Sequence, residues 1–191
     1  MTWLHMAQPV PVTYAKQQYE MQLPILGIVL HTTNSKTRSL VGQQKDWQSI
    51  GRQSAHFAID RTGKIGQYRS TSSVAWHIGK LSTRYFGIEH IAHHNEELTD
   101  TQIEASAQLV ACLCDAFGIP IQRMEQPGGP GVAIHPQFHS TSCGQTAFWT
   151  GHKDIASTFD DLLARAKTYS EYGLYDYATR TGVTAADGRG G

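Results

Sequence analysis

The chain has 191 residues, 40% of them hydrophobic, with 16 basic and 16 acidic side chains and a formal net charge of zero. That length fits a single domain with a substantial core, and the charge balance excludes a global attraction to nucleic acid or to an anionic membrane. No apolar run is long enough to span a bilayer, and three cysteines give no disulfide framework.

Residues 1–22 are mixed in character, carry Pro9 and Pro11, and are expected to wrap the domain as an arm. Their start lacks a basic segment followed by an apolar one, so no signal peptide is expected. Ile25 to Leu30 is apolar on both faces, the pattern of a central strand in a sheet covered on both sides, and His31 closes the run. Asn34-Ser-Lys-Thr37 breaks it, after which Leu40, Val41, Trp47 and Ile50 fall at roughly helical spacing. The segments 56–60 and 64–68 flank Arg61-Thr-Gly63, a hairpin signal with a glycine available for positive φ. Phe86 to Ala92 reads as a further strand.

Thr99 with Gln102 forms a capping-box pattern, and the helix it opens has Ile103, Ala107, Val110, Leu113, Cys114 and Phe117 as its buried stripe. Gly118 and Pro120 end it. Cys112 and Cys114, two apart, point to different faces and are expected to be packed apolar residues. A Pro/Gly-rich loop, 126–131, leads into Val132-Ala-Ile134, and a last helix is expected over about 155–169. Residues 179–191 are small, polar and glycine-rich, a composition that frays. Strands interleaved with helices predict an α/β fold: one domain, with a central mixed β-sheet flanked by helices.

The chemistry concentrates in His135-Pro-Gln-Phe-His-Ser-Thr-Ser-Cys143 and the distant His31. Two imidazoles and a thiol suit Zn²⁺, and three protein ligands leave a fourth position for water, the arrangement of a catalytic site. Ten histidines raise the chance of metal chemistry and equally of choosing the wrong ligand. His93-His94 reads as part of a solvated loop. His139, four residues after His135, would chelate beside it on a helix, but its loop context argues against that. The rival middle ligand is His152 in Gly151-His-Lys-Asp154, with Asp160 eight residues further on. His135 is preferred, because it follows the long helix closely and leads straight into Ser-Thr-Ser-Cys143.

Five signals in order carry a resemblance: Val29-Leu-His-Thr-Thr33, Ser54-Ala-His-Phe-Ala-Ile-Asp60, Ala75-Trp-His-Ile-Gly79, Gly87-Ile-Glu89, and His135 through Cys143. The sequence resembles the zinc-dependent N-acetylmuramoyl-L-alanine amidases, a family spanning amidase-type phage lysozymes, muropeptide-recycling amidases and peptidoglycan recognition proteins. The resemblance runs from about Ile25 to Cys143, and a zinc amidase domain is expected over residues 23–170, followed by 171–191 as a flexible tail. The resemblance implies one Zn²⁺ per chain on His31, His135 and Cys143, which would acidify its water, polarise the scissile carbonyl and stabilise the oxyanion. Glu89 matches the acidic residue that acts as general base and then general acid in the recycling amidases. Thr141 matches a position near the oxyanion, to which its hydroxyl would donate. Trp76 and His77 would line the substrate groove. Two positions depart from the family pattern: Ala55 stands where other branches carry a catalytic tyrosine, and Gly144 where a proline is common. Glu89 is present, so this chain resembles the carboxylate-using branch.

The resemblance therefore implies hydrolysis of the amide between N-acetylmuramic acid and L-alanine, with peptidoglycan or a muropeptide as substrate. The charge balance predicts no nucleic-acid partner, and a monomer with a lytic role is expected, with phage lysin, delivered toxin and cytosolic recycling enzyme as the open contexts. Such a protein would be made in the cytoplasm and reach the wall, in the periplasm or outside, by another route. Two rival readings remain open here: a non-catalytic peptidoglycan-binding domain, and a zinc peptidase that cuts within the stem peptide.

Overall fold

The fold, taken from a computed structural model, is described for residues 3–12, 19–34, 38–51, 53–93, 96–138, 143 and 156–173. Its spine is a six-stranded sheet of β1 (Gln8–Pro9), β2 (Gly27–Thr32), β3 (Phe57–Ile59), β4 (Ile65–Gln67), β5 (Tyr85–His90) and β6 (Gly131–Ile134). Their order across the sheet is β1-β4-β3-β5-β2-β6. The β3–β4 hairpin is antiparallel and the other ladders are parallel, so the sheet is mixed as expected. Gly63 takes a φ of 82° in the hairpin turn, where Asp60 accepts hydrogen bonds from the Thr62 and Lys64 amides.

Every residue of β2 is buried, which its unbroken apolar run requires of a strand covered on both faces. Pleating divides those residues between two faces. Ile28 and Leu30 of β2, Phe86 and Ile88 of β5, and Val132 and Ile134 of β6 join the main core cluster. Against that face lies α2 (Asp100–Phe117), in turn packed on α3 (Ala156–Tyr172). Sandwiched between the sheet and α3, α2 buries both Cys112 and Cys114 along with Leu109 and Leu113. The capping box at Thr99 is complete, and Gly118 closes the helix in the left-handed conformation. Gln102, the box's other member, also donates to the Ile59 and Ile91 carbonyls with its side-chain amide, tying the helix start to β3 and to the residue that follows β5.

The alternate residues point the other way. Val29 and His31 of β2 share that face with Tyr85, Gly87 and Glu89 of β5 and Ala133 of β6. One end of it is covered by α1 (Leu40–Ile50), where Leu40 and Trp47 meet Val10, Val12, Ala55 and Tyr68. Val41 and Ile50, at helical spacing in the sequence, are exposed, and Gln43 takes the buried position instead. The N-terminal segment does more than wrap the domain. Its β1 lies parallel to β4, and the Val10 and Val12 amides donate to Gln67 and Tyr68 carbonyls at 2.8 and 3.0 Å, continuing the sheet.

Candidate metal centre

Parallel pairing sets the level of the site. His31 and Glu89 are register partners on β2 and β5, and Leu30 is paired with Ile134, so His135 follows β6 at the height of His31. A 3₁₀ turn, His135–Gln137, begins there with Pro136 in its first turn, and the Gln137 side chain accepts from the Ile134 amide and donates to the Met124 carbonyl. His135 is thus held on a turn braced at both sides rather than on a loose loop.

His31, His135 and Cys143 converge, with their donor atoms within 4.8 Å of one another. The two Nδ1 atoms are 3.1 Å apart and Cys143 Sγ is 3.6 Å from His31 Nδ1. Zn–N bonds of about 2.05 Å and a Zn–S bond of about 2.3 Å at tetrahedral angles require separations of about 3.3 Å for N···N and about 3.6 Å for N···S. The two His31 separations match a tetrahedral ion, and all three donors lie within 4.8 Å of one another. Burial and then the neighbouring Glu89 push the Cys143 thiol up to about 12, so a thiolate at this position needs a cation beside it.

Glu89 lies beside this set, in a segment of β5 that is otherwise fully buried. Burial pushes its carboxyl up to about 8, and its Oε2 is sealed from solvent with no hydrogen-bond partner among the described residues. A buried polar oxygen left without a partner costs about 1–3 kcal/mol, more if charged, so the position calls for a ligand. Both the acid and the three donors line one cavity of about 240 Å³, with room for far more than an ion. Thr33, Asn34, Trp47, Gln53, Ser54 and Trp76 are also part of its lining. The Trp76 ring stands edge-on to Tyr19 at 6.0 Å, and its Nε1 is buried with no partner among the described residues.

His77 also lines the cavity, but both its ring nitrogens are engaged within the protein. Nδ1 lies 3.0 Å from His31 Nε2, and Nε2 lies 3.0 Å from the Tyr85 carbonyl oxygen. Burial pulls its pKa down to about 4, so the ring is neutral. Two further histidines support the same strands. His90 Nδ1 donates to the His31 carbonyl and its Nε2 faces Ser106 Oγ on α2 at 3.0 Å. His56 donates from Nε2 to Ser73 and accepts the Gly87 amide on Nδ1. Neither stood out in the sequence as more than an occupant of a motif, because what each does depends on backbone atoms of other strands.

The remaining candidates divide simply. Ala55 is fully buried in the α1 cluster, and the cavity is lined by its neighbour Ser54 instead. Asp160, companion of the rival middle ligand, sits on α3 in an ion pair with Arg123 at 2.7 Å. Thr141, His139, Gly144 and His152 lie outside the described residues.

Comparison with known proteins gives a consistent result. Residues 21–161 match the family model described as N-acetylmuramoyl-L-alanine amidase. Among solved structures, the N-acetylmuramoyl-L-alanine amidase LysC from Clostridium intestinale URNW is 21% identical over 84% of this chain and 97% of its own, with a TM-score of 0.57. The Staphylococcus aureus hydrolase AmiA, in complex with its ligand, is 16% identical over 90% and 88%, with a TM-score of 0.60. Peptidoglycan recognition protein-LE, in complex with tracheal cytotoxin, is 18% identical over 73% and 88%, with a TM-score of 0.59. These structures share the fold. No curated protein matches the chain.

Proposed function

We propose that this chain, which belongs to the N-acetylmuramoyl-L-alanine amidase family, hydrolyses the amide between the lactyl group of N-acetylmuramic acid and L-alanine, using a zinc ion held by His31, His135 and Cys143. The observation that carries this reading is the convergence of two imidazoles and a thiol within 4.8 Å of one another, beside a buried carboxylate oxygen with no partner among the described residues. Zinc bound there supplies Lewis acidity, which polarises the lactyl carbonyl and lowers the pKa of water.

Glu89 takes a proton from the attacking water and returns it to the departing L-alanine nitrogen as the C–N bond breaks. The products are a lactyl carboxylate and a free amine. A carboxyl that burial alone holds near 8 exchanges protons close to neutrality, and positive charge at the adjacent donor set draws it lower. Thr141, two residues before Cys143, donates a hydrogen bond to the developing oxyanion in this reading. Trp76, which lines the cavity, contacts the glycan or the stem peptide in this reading.

The enzyme reading is favoured over a binding-only domain by Cys143 and Glu89 together: holding a muropeptide requires neither a third ligand nor a sealed carboxylate. The test is turnover of a soluble muramyl peptide with and without chelator, alongside metal analysis. One zinc per chain and activity that chelation abolishes and zinc restores are expected. Muropeptide binding without turnover, by a zinc-loaded protein, would overturn the proposal. Parallel assays on intact sacculi separate a wall-lytic enzyme from one that acts on soluble fragments.

A further inference from the structure

His77 is outside the ligand set, yet its hydrogen bonds determine what His31 offers that set. The Tyr85 carbonyl is an acceptor and nothing else, so His77 Nε2, 3.0 Å away, carries the proton. A neutral imidazole has one donor and one acceptor nitrogen, which makes His77 Nδ1 the acceptor. Its partner at 3.0 Å, His31 Nε2, then carries the second proton. The consequence lands on the opposite side of the His31 ring, where Nδ1 keeps its lone pair turned toward His135 and Cys143.

We infer that His77 is a positioning residue, which transmits the fixed polarity of the Tyr85 backbone carbonyl to His31 and holds it in the tautomer and orientation that bind a metal through Nδ1. The inference rests on the zinc reading above. Two further observations support it. Gly87, on β5 directly beneath the ring, leaves the space His77 occupies, since a Cβ there would come within 2.8 Å of His77 Cγ. His90 fixes the other end of the same residue by donating to the His31 carbonyl, so His31 is held at its backbone and at its ring. Hydrogen-bonded partners of ligating histidines set tautomer and ring orientation in this manner elsewhere. With both nitrogens committed inside the protein, His77 has only its ring surface to offer a substrate.

The test uses the full chain and the near-isosteric pair His77→Leu and His77→Asn, of which Asn alone keeps an acceptor where Nδ1 stood. Nitrogen-15 NMR of the metal-free wild type reads the His31 tautomer without any substitution, and chelator competition reads zinc affinity. The expected results are a His31 protonated at Nε2, a zinc affinity lowered roughly 10- to 100-fold in His77→Leu, and recovery of most of that loss in His77→Asn. A wild-type His31 protonated at Nδ1 would overturn the inference, as would equal losses in the two variants or none in either. A wild type that takes up no zinc would overturn the zinc reading itself, an outcome distinct from a wild type that binds zinc and a His77→Leu variant that binds it equally well.

Discussion

The two faces of β5 are built from one six-residue strand and behave in opposite ways. Toward α2, Phe86 and Ile88 are fully buried among apolar neighbours, and the one polar group, His90, has both nitrogens satisfied by His31 and Ser106. Toward the cavity, Glu89 carries a sealed oxygen with no partner among the described residues and Gly87 gives up its side chain to make room for His77. The helix face spends its residues on stability. The cavity face keeps a group whose burial is unfavourable until a ligand arrives, and the difference separates substitutions that should unfold the protein from those that should silence it.

The largest effect on the cavity side is expected from the ligands. His31→Ala and Cys143→Ala should lose bound zinc and fall to background turnover, read by metal analysis and a muropeptide assay; full zinc and full activity in Cys143→Ala would remove it from the donor set. Next comes Glu89→Gln, which should keep one zinc per chain and lose about 10²- to 10⁴-fold in turnover. The same variant has an opposite signature in stability. Glu89 has a folded value near 8, above its ordinary 4.5, so the native wild type holds this proton more tightly than the unfolded chain does. Its contribution is complete below pH 4.5 and is lost as pH rises toward 8. Metal-free Glu89→Gln should therefore match the wild type at pH 4 and exceed it at pH 8 by a margin on the order of a few kcal/mol, measured by urea melts at the two pH values.

On the helix face the pattern should invert. Leu109→Ala, at a fully buried position of α2, should cost about 2–5 kcal/mol, while zinc content and turnover per folded molecule stay unchanged. Smaller again is Ser106→Ala, which strips His90 Nε2 of its α2 partner and should cost about 1–3 kcal/mol. A turnover loss in Ser106→Ala beyond its loss of folded protein would show that the two faces are coupled through His90 and the His31 carbonyl.

Much of this architecture was legible in the sequence, for identifiable reasons. The capping box at Thr99 and Gln102, the glycine-bearing turn of the β3–β4 hairpin and the apolar run of β2 are local signals, and local interactions form those elements. The convergence of His31, His135 and Cys143 came from the order of motifs. The structure brings those three together because parallel pairing puts His31 and the end of β6 at one level. What stayed hidden depends on contacts distant in sequence. Gln8 and Pro9 have no strand pattern, and they become an edge strand only because β4 is there to pair with them. Gln43 stands in the buried set of α1 and Val41 does not, because Leu40 and Trp47 packing with Val10, Val12, Ala55 and Tyr68, residues distant in sequence, sets which way that helix turns. The link from Tyr85 through His77 to His31 begins at a backbone carbonyl, an atom every residue has, so no residue type announces it.

Which bond is cut distinguishes an N-acetylmuramoyl-L-alanine amidase from a stem peptidase or a binding domain. Peptidoglycan digested by the zinc-loaded protein and resolved by mass spectrometry should yield stem peptides with a free L-alanine amino terminus and glycan strands retaining intact N-acetylmuramic acid, with neither product formed in chelator. Fragments broken within the stem peptide, or a wall left uncut by protein carrying one zinc per chain, would contradict it.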